Sequence, residues 1–142
     1  MPDVSLVVKF LGDNVFLVAV AVVSGGMLIW PVLRRGTAGP SISTLQATQL
    51  MNQQNALVLD VRDAPEYQKG HMLNARNIPF AELGARAGEL EKHKAKPLVV
   101  VCDGDNRSSK AVAALRKQGF EKVFTLGGGI AAWRQAGLPL ER

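Results

Sequence analysis

The sequence predicts a three-layer α/β domain with a mainly parallel sheet, preceded by one apolar N-terminal helix. Three observations lead there. Short apolar runs at residues 56–61, 98–101 and 123–126 alternate with segments of helical periodicity, the order that builds a parallel sheet with helices on both faces. The runs are nearly continuous in apolar residues, as strands covered on both sides must be. Ahead of them, residues 15–33 (VFLVAVAVVSGGMLIWPVL) carry no charge.

The 142 residues have room for one ordinary domain plus an anchor. Residues 1–14 are a short N-terminal segment. Residues 15–33 would cover about 28 Å as a helix, close to the hydrocarbon thickness of a bilayer, and read as one transmembrane helix. Asp13 and Asn14 bound the run on one side, Arg34 and Arg35 on the other. Trp30 lies near the second boundary, where its ring would meet headgroups. A cleaved signal peptide fits less well, because the run is long and two arginines follow it directly. Arg34 and Arg35, against Lys9 with Asp3 and Asp13, put the C-terminal domain on the cytoplasmic side by the positive-inside rule. Residues 34–40 read as a linker and residues 41–142 as the domain.

Within the domain, Ser43 or Thr44 caps a helix running to about Asn52, with Leu45, Leu50 and Met51 inward. Residues 56–61 (ALVLDV) form a strand, 64–69 a helical turn stopped by Gly70, and 75–79 (ARNIP) an extended piece. Residues 80–93 read as one helix with Leu83 and Leu90 on one face. Residues 98–101 form the second buried strand. A helix over 108–118 turns Val112, Ala113 and Leu115 inward and stops at Gly119. Residues 123–126 form a further strand, and 130–135 a last helix ended by Gly137.

The net charge of +5 divides into +1 over residues 1–40 (three basic, two acidic) and +4 over the rest (fourteen basic, ten acidic). No basic run and no aromatic interleaving accompany it, so no nucleic-acid partner is expected. A single cysteine excludes an internal disulfide and a CxxC motif. His71 and His93 lack ligand spacing, so no metal is expected.

That cysteine ends a strand, in LVVVCDGDNRSS at residues 98–109. Ligands of parallel α/β sheets bind at the carboxyl ends of strands. A tight loop over Cys102, Asp103, Gly104, Asp105, Asn106 and Arg107, leading into Ser108, would turn successive amide groups towards the sulfur as an anion-binding nest. The following helix adds its positive end and Arg107 a fixed charge. All three favour a thiolate, the nucleophilic form of cysteine. A buried, inert cysteine is the competing reading.

The domain resembles the rhodanese family over nearly all of residues 41–142. Asp60 and Arg62 in VLDVR, followed by Glu66 and His71 in EYQKGHM, resemble its first signature, and ARNIP the segment that follows. Cys102 with Arg107 and Ser108 resembles its active loop. Gly127-Gly128-Gly129 through Trp133 and Gly137-Leu138-Pro139 resembles its closing motif. The anchored arrangement is similar to single-domain, membrane-tethered bacterial members, which implies the inner (cytoplasmic) membrane and leaves room for a membrane-protein partner.

The resemblance implies sulfur transfer without cofactors. Cys102 takes sulfane sulfur from thiosulfate or a persulfide, and passes it to cyanide or a thiol. The amides of residues 103–107 form the cradle and Arg107 its charge. Related cell-cycle phosphatases carry one more residue between cysteine and arginine; four intervene here, the sulfurtransferase number. Asp105 departs from the pattern, standing where glycine is frequent. Asp103 and Asp105 bring negative charge that would repel anionic donors. Asp60, Arg62, Glu66 and His71 are expected to tie loops together by hydrogen bonds and ion pairs, Trp133 to lie in the core, and the three glycines to make a tight turn beside the active loop. A membrane-bound adaptor that keeps the fold without the chemistry is the alternative function.

Overall fold

The computed structural model describes residues 3–35 and 39–142, residues 32–35 and 105 by backbone alone. Part of the expected linker, residues 36–38, lies outside the described residues, as do the side chains of Arg34, Arg35 and Asp105. The chain divides into two compact units, Met1–Gly36 and Thr37–Arg142.

The first unit holds α1 (Val4–Asp13) and α2 (Val15–Arg35). The sequence reading missed α1, whose ten residues are too few to hold a helix by propensity alone. The two helices meet at 89°. Among the described residues, no single helix is long and apolar enough to cross a membrane; α1 and Val15–Pro31 meet that criterion only as a bent pair. The one transmembrane helix expected over residues 15–33 thus has only this bent pair behind it.

The second unit is built on a five-stranded parallel sheet in the order β1 (Ser41–Ile42), β6 (Val123–Leu126), β5 (Leu98–Val101), β2 (Leu57–Asp60), β4 (Arg76–Asn77). A separate antiparallel ribbon pairs β3 (His71–Met72) with β7 (Leu140–Glu141). Side chains alternate across the central strands, and each face has its own core. Leu59, Leu98, Val100 and Val123 face Leu83 of α5 (Leu83–Arg86), Leu90 just beyond it, and Val112 and Leu115 of α6 (Asp105–Lys117). Val58, Val99, Val101 and Leu126 face α3 (Thr44–Gln54), α4 (Ala64–Gln68) and α7 (Gly129–Gln135) through Ala47, Tyr67, Ile130 and Trp133. The middle layer is therefore apolar on both sides, as its strand composition requires.

Local chemistry sets the boundaries. Ser43 caps α3 by accepting from the Gln46 amide at 3.2 Å, and the Gln46 side chain returns the bond to the Ser43 amide at 2.9 Å. The helix runs on to Gln54 because Asn55 takes the left-handed cap, a role asparagine tolerates. Leu45 points to solvent with 67% of its surface exposed, contrary to expectation, and Ala47 is the buried residue of the turn. Ala111, rather than the half-buried Ala113, joins Val112 and Leu115 in the core.

The single helix expected over 80–93 is broken into a 3₁₀ turn (Phe80–Glu82), α5, and a second 3₁₀ stretch (Ala87–His93). Gly84 and Gly88 weaken the α-helix there. Arg86, which bonds Glu82 and Glu89 at 2.8 Å each, holds the pieces in line.

Candidate active site

Strands β2, β5 and β6 end together, so the segments after them form one rim. The strand alternation that buries Val100 turns Cys102 towards the same core, where it is 1% exposed. The next residue, Asp103, is half-exposed.

The loop is shorter than expected. Helix α6 starts at Asp105 rather than Ser108, and the extended Gly104 is its N-cap. Only Cys102, Asp103 and Gly104 lie between strand and helix. Arg107 therefore sits in the first helical turn, and the amides of residues 105–107 are the unpaired first-turn donors of a helix, not a separate nest. A short strand-to-helix crossing leaves no room for a wider curl. Ser108 is buried, and its hydroxyl donates to the Gly104 carbonyl at 3.4 Å. Asn106 and Arg107 are exposed, and Arg107 makes no hydrogen bond or ion pair among the described residues.

The glycine turn after β6 is fastened to the cysteine. The Ile130 amide donates to the Cys102 carbonyl at 3.1 Å. A Cβ on Gly129 would come within 2.0 Å of that carbonyl oxygen, and its φ is +58°. Only glycine allows this approach. The carbonyl of Cys102 is thus held while its following residues turn away into α6.

On the opposite face of the sheet lies a buried ionic cluster. Arg62 is 3% and Asp60 1% exposed. The Arg62 Nη2 donates to Asp60 Oδ2 at 2.6 Å and to the Gly70 carbonyl at 2.8 Å, and Nε donates to both Asp60 oxygens at 3.0 and 3.1 Å. Its remaining nitrogen, Nη1, stands 3.8 Å from Asp103 Oδ1, beside the cysteine. Burial alone would lower the Arg62 pKa, but hydrogen bonding to Asp60 and the charges of Asp60, Asp103 and Glu66 raise it on balance. Arg62 is therefore a fixed cation. Glu66 contributes charge, and its buried Oε2 has no hydrogen-bond partner among the described residues. Asn77 donates to the Asp60 and Arg62 carbonyls at 3.1 and 2.9 Å and ties β4 to the cluster.

His71 lies further out. Its Nδ1 donates to the Tyr67 carbonyl at 3.0 Å, and Nε2 faces Glu141 at 3.7 Å. The Tyr67 ring stacks on it with centroids 3.7 Å apart, and the Tyr67 hydroxyl donates to the Ala75 carbonyl at 2.7 Å. Of the four residues expected to tie loops together, Asp60 and Arg62 reach the cysteine loop through Asp103, while His71 serves the ribbon. Sequence reasoning passed over Tyr67 and Asn77 as bonding residues, although both lie in the motifs it singled out. No group of three or more metal-ligating side chains occurs among the described residues.

Comparison with known proteins fits this geometry. The family described as Rhodanese-like domain matches residues 43–136. The uncharacterized protein YibN of Escherichia coli K12 is 41% identical over 98 residues, which are 68% of each chain. A tRNA uridine(34) hydroxylase of Escherichia fergusonii is 35% identical over 118 residues, 78% of this chain but only 34% of that protein. A thiosulfate sulfurtransferase structure from Pseudomonas aeruginosa superposes with a TM-score of 0.65 at 27% identity, covering 72% of this chain and 20% of that one.

Proposed function

The chain belongs to the family of rhodanese-like domains, and from that premise we propose that it is a membrane-tethered sulfurtransferase whose Cys102 carries sulfane sulfur as a persulfide. The observation that supports this most is the position of the one cysteine. It ends the central strand β5, its carbonyl is fastened to the glycine turn, and a helix N-terminus follows within three residues.

The steps balance without a cofactor. The Cys102 thiolate attacks the outer sulfur of thiosulfate; the new S–S bond forms as the old one breaks, and sulfite leaves with the bonding pair. With a persulfide donor, a thiolate leaves instead. The first-turn amides and Arg107 are suited to hold the negative terminal sulfur of the product. An acceptor thiolate then attacks that sulfur, takes it as its own persulfide and releases the Cys102 thiolate. Cyanide takes it as thiocyanate.

Arg62 is already committed to Asp60 and Asp103, so the cluster of Asp60, Arg62, Glu66 and Asp103 carries a net negative charge beside the cysteine. We therefore expect thiosulfate, a dianion, to be a weaker donor than a thiol persulfide. The burial of Cys102 adds a constraint: a donor reaches the sulfur only when the groups packed over it move. That burial also favours the second reading, a rhodanese-like domain acting as a membrane-bound adaptor for a membrane protein. The tether in both readings is the uncharged segment 15–33, with the domain on the cytoplasmic side of a bacterial inner membrane.

Intact-mass measurement of the detergent-solubilised chain separates the two. One added sulfur atom after exposure to thiosulfate or a persulfide, removed by cyanide or thiol and missing in Cys102→Ser, is the expected result. No adduct from either donor on a folded chain whose thiol can be alkylated would overturn the transferase and leave the adaptor.

A further inference from the structure

Helix α1 divides cleanly by chemistry. At 100° per residue, Ser5, Lys9, Gly12 and Asp13 fall within one arc, and Val4, Leu6, Val7, Val8, Phe10 and Leu11 fill the rest. Every one of those six apolar side chains is at least 45% exposed. The two least exposed, Leu11 and Val7, sit at the centre of the apolar arc.

The corner that follows is a bonded structure. The Asn14 amide and its side-chain Nδ2 both donate to the Phe10 carbonyl, at 3.1 and 3.0 Å, which closes α1. The Asn14 carbonyl accepts from Val18 at 3.0 Å and opens α2. The right angle between the helices is therefore built around one residue that ends one helix and begins the next.

Length decides where α1 can go. A straight helix over both segments would measure about 48 Å, against a hydrocarbon core of about 30 Å. Residues 15–33 use nearly all of that depth, so α1 has none left to cross. We propose that α1 lies flat in the lipid–water boundary of the membrane that α2 enters, apolar arc towards the acyl chains and Lys9 towards water. This rests on the tether reading above. Its side chains would enter the boundary by roughly 5–10 Å, as interfacial helices do. One lysine against Asp3 and Asp13 gives no net attraction to anionic lipid, so neutral phosphatidylcholine is enough to hold it.

The test uses the full chain in phosphatidylcholine vesicles. In a Cys102→Ser background, nitroxide labels are placed one at a time by Ser5→Cys, Lys9→Cys, Val7→Cys, Leu11→Cys and Val23→Cys. Collision with oxygen and with a water-soluble nickel chelate reports depth. The expected pattern is Val7 and Leu11 at one shallow depth, Ser5 and Lys9 in water, and Val23 deep. Val7 and Leu11 as open to nickel as Ser5 and Lys9, with Val23 still deep, would overturn the interfacial helix and keep the tether. A steady change of depth from Leu11 to Val7 would make α1 a continuation of α2 and overturn it too. Val23 in water would overturn the tether and α1's placement with it.

Discussion

Two arginines lie close to Cys102 in sequence or space, and their circumstances are opposite. Arg62 is buried, with Nε and Nη2 bonded to Asp60 and Gly70 and Nη1 facing Asp103. Arg107 is exposed in the first turn of α6, and makes no bond among the described residues. A buried cation held by several hydrogen bonds orders the protein; an exposed one with none is available to a ligand. The loop of Cys102 is held on one side by the first and left open to the second.

Removing the buried partner gives the largest effect. Asp60→Ala leaves the Arg62 guanidinium buried without its bidentate acceptor, and a loss of about 3–5 kcal/mol is expected. Urea denaturation of the chain in detergent measures it, and a midpoint unchanged from wild type would mean that the cluster does not order the fold. Arg107→Ala is the counterpart. It leaves the urea midpoint where it was and lowers the rate of sulfur transfer by roughly tenfold to a hundredfold, the worth of charge-assisted hydrogen bonds to an anion. Equal losses of stability from both variants would erase the distinction.

Asp103→Asn sharpens it. That substitution removes the half-exposed carboxylate between Arg62 and the cysteine, and thiosulfate kcat/KM should rise by roughly twofold to fivefold, the scale of an exposed ion pair. Added salt should shrink the gain, because screening acts on such charges. A fall in thiosulfate use would show that Asp103 matters by positioning the loop instead.

The smallest effect is a titration. Tyr67 is the only tyrosine in the chain, so tyrosinate absorbance reports it alone. Burial, then the charges of Asp60 and Glu141, raise its pKa above the ordinary 10.0. The folded state therefore favours the neutral phenol. That contribution to stability is complete below pH 10.0 and is lost as pH rises through the higher folded value. Ionisation at the ordinary value in the folded chain would mean that Tyr67 is not held against His71 and Ala75 in solution.

Much of this arrangement was legible beforehand. The apolar runs of β2, β5 and β6 announced a sheet covered on both faces, and the motif around Cys102, Arg107 and the three glycines announced where its chemistry would sit. The two-residue strands β1, β3 and β7 escaped notice, because a period of two cannot show itself in two residues. Leu45 was misplaced because an apolar residue in a helix can face water with nothing in the local pattern to forbid it. The start of α6 was misjudged by three residues, since an extended glycine cap leaves no polar cap signal.

What the sequence determined by itself is the material of the site: a lone cysteine at a strand end, with four residues between it and an arginine, inside an α/β alternation. Those are local properties, written in residue type and spacing. Only the tertiary structure decided which arginine is spent and which is free, that Asp103 meets Arg62, and that Gly129 must lack a side chain beside the Cys102 carbonyl. Each of these is a contact between segments far apart in the chain, and distance in space is set by packing around the whole sheet.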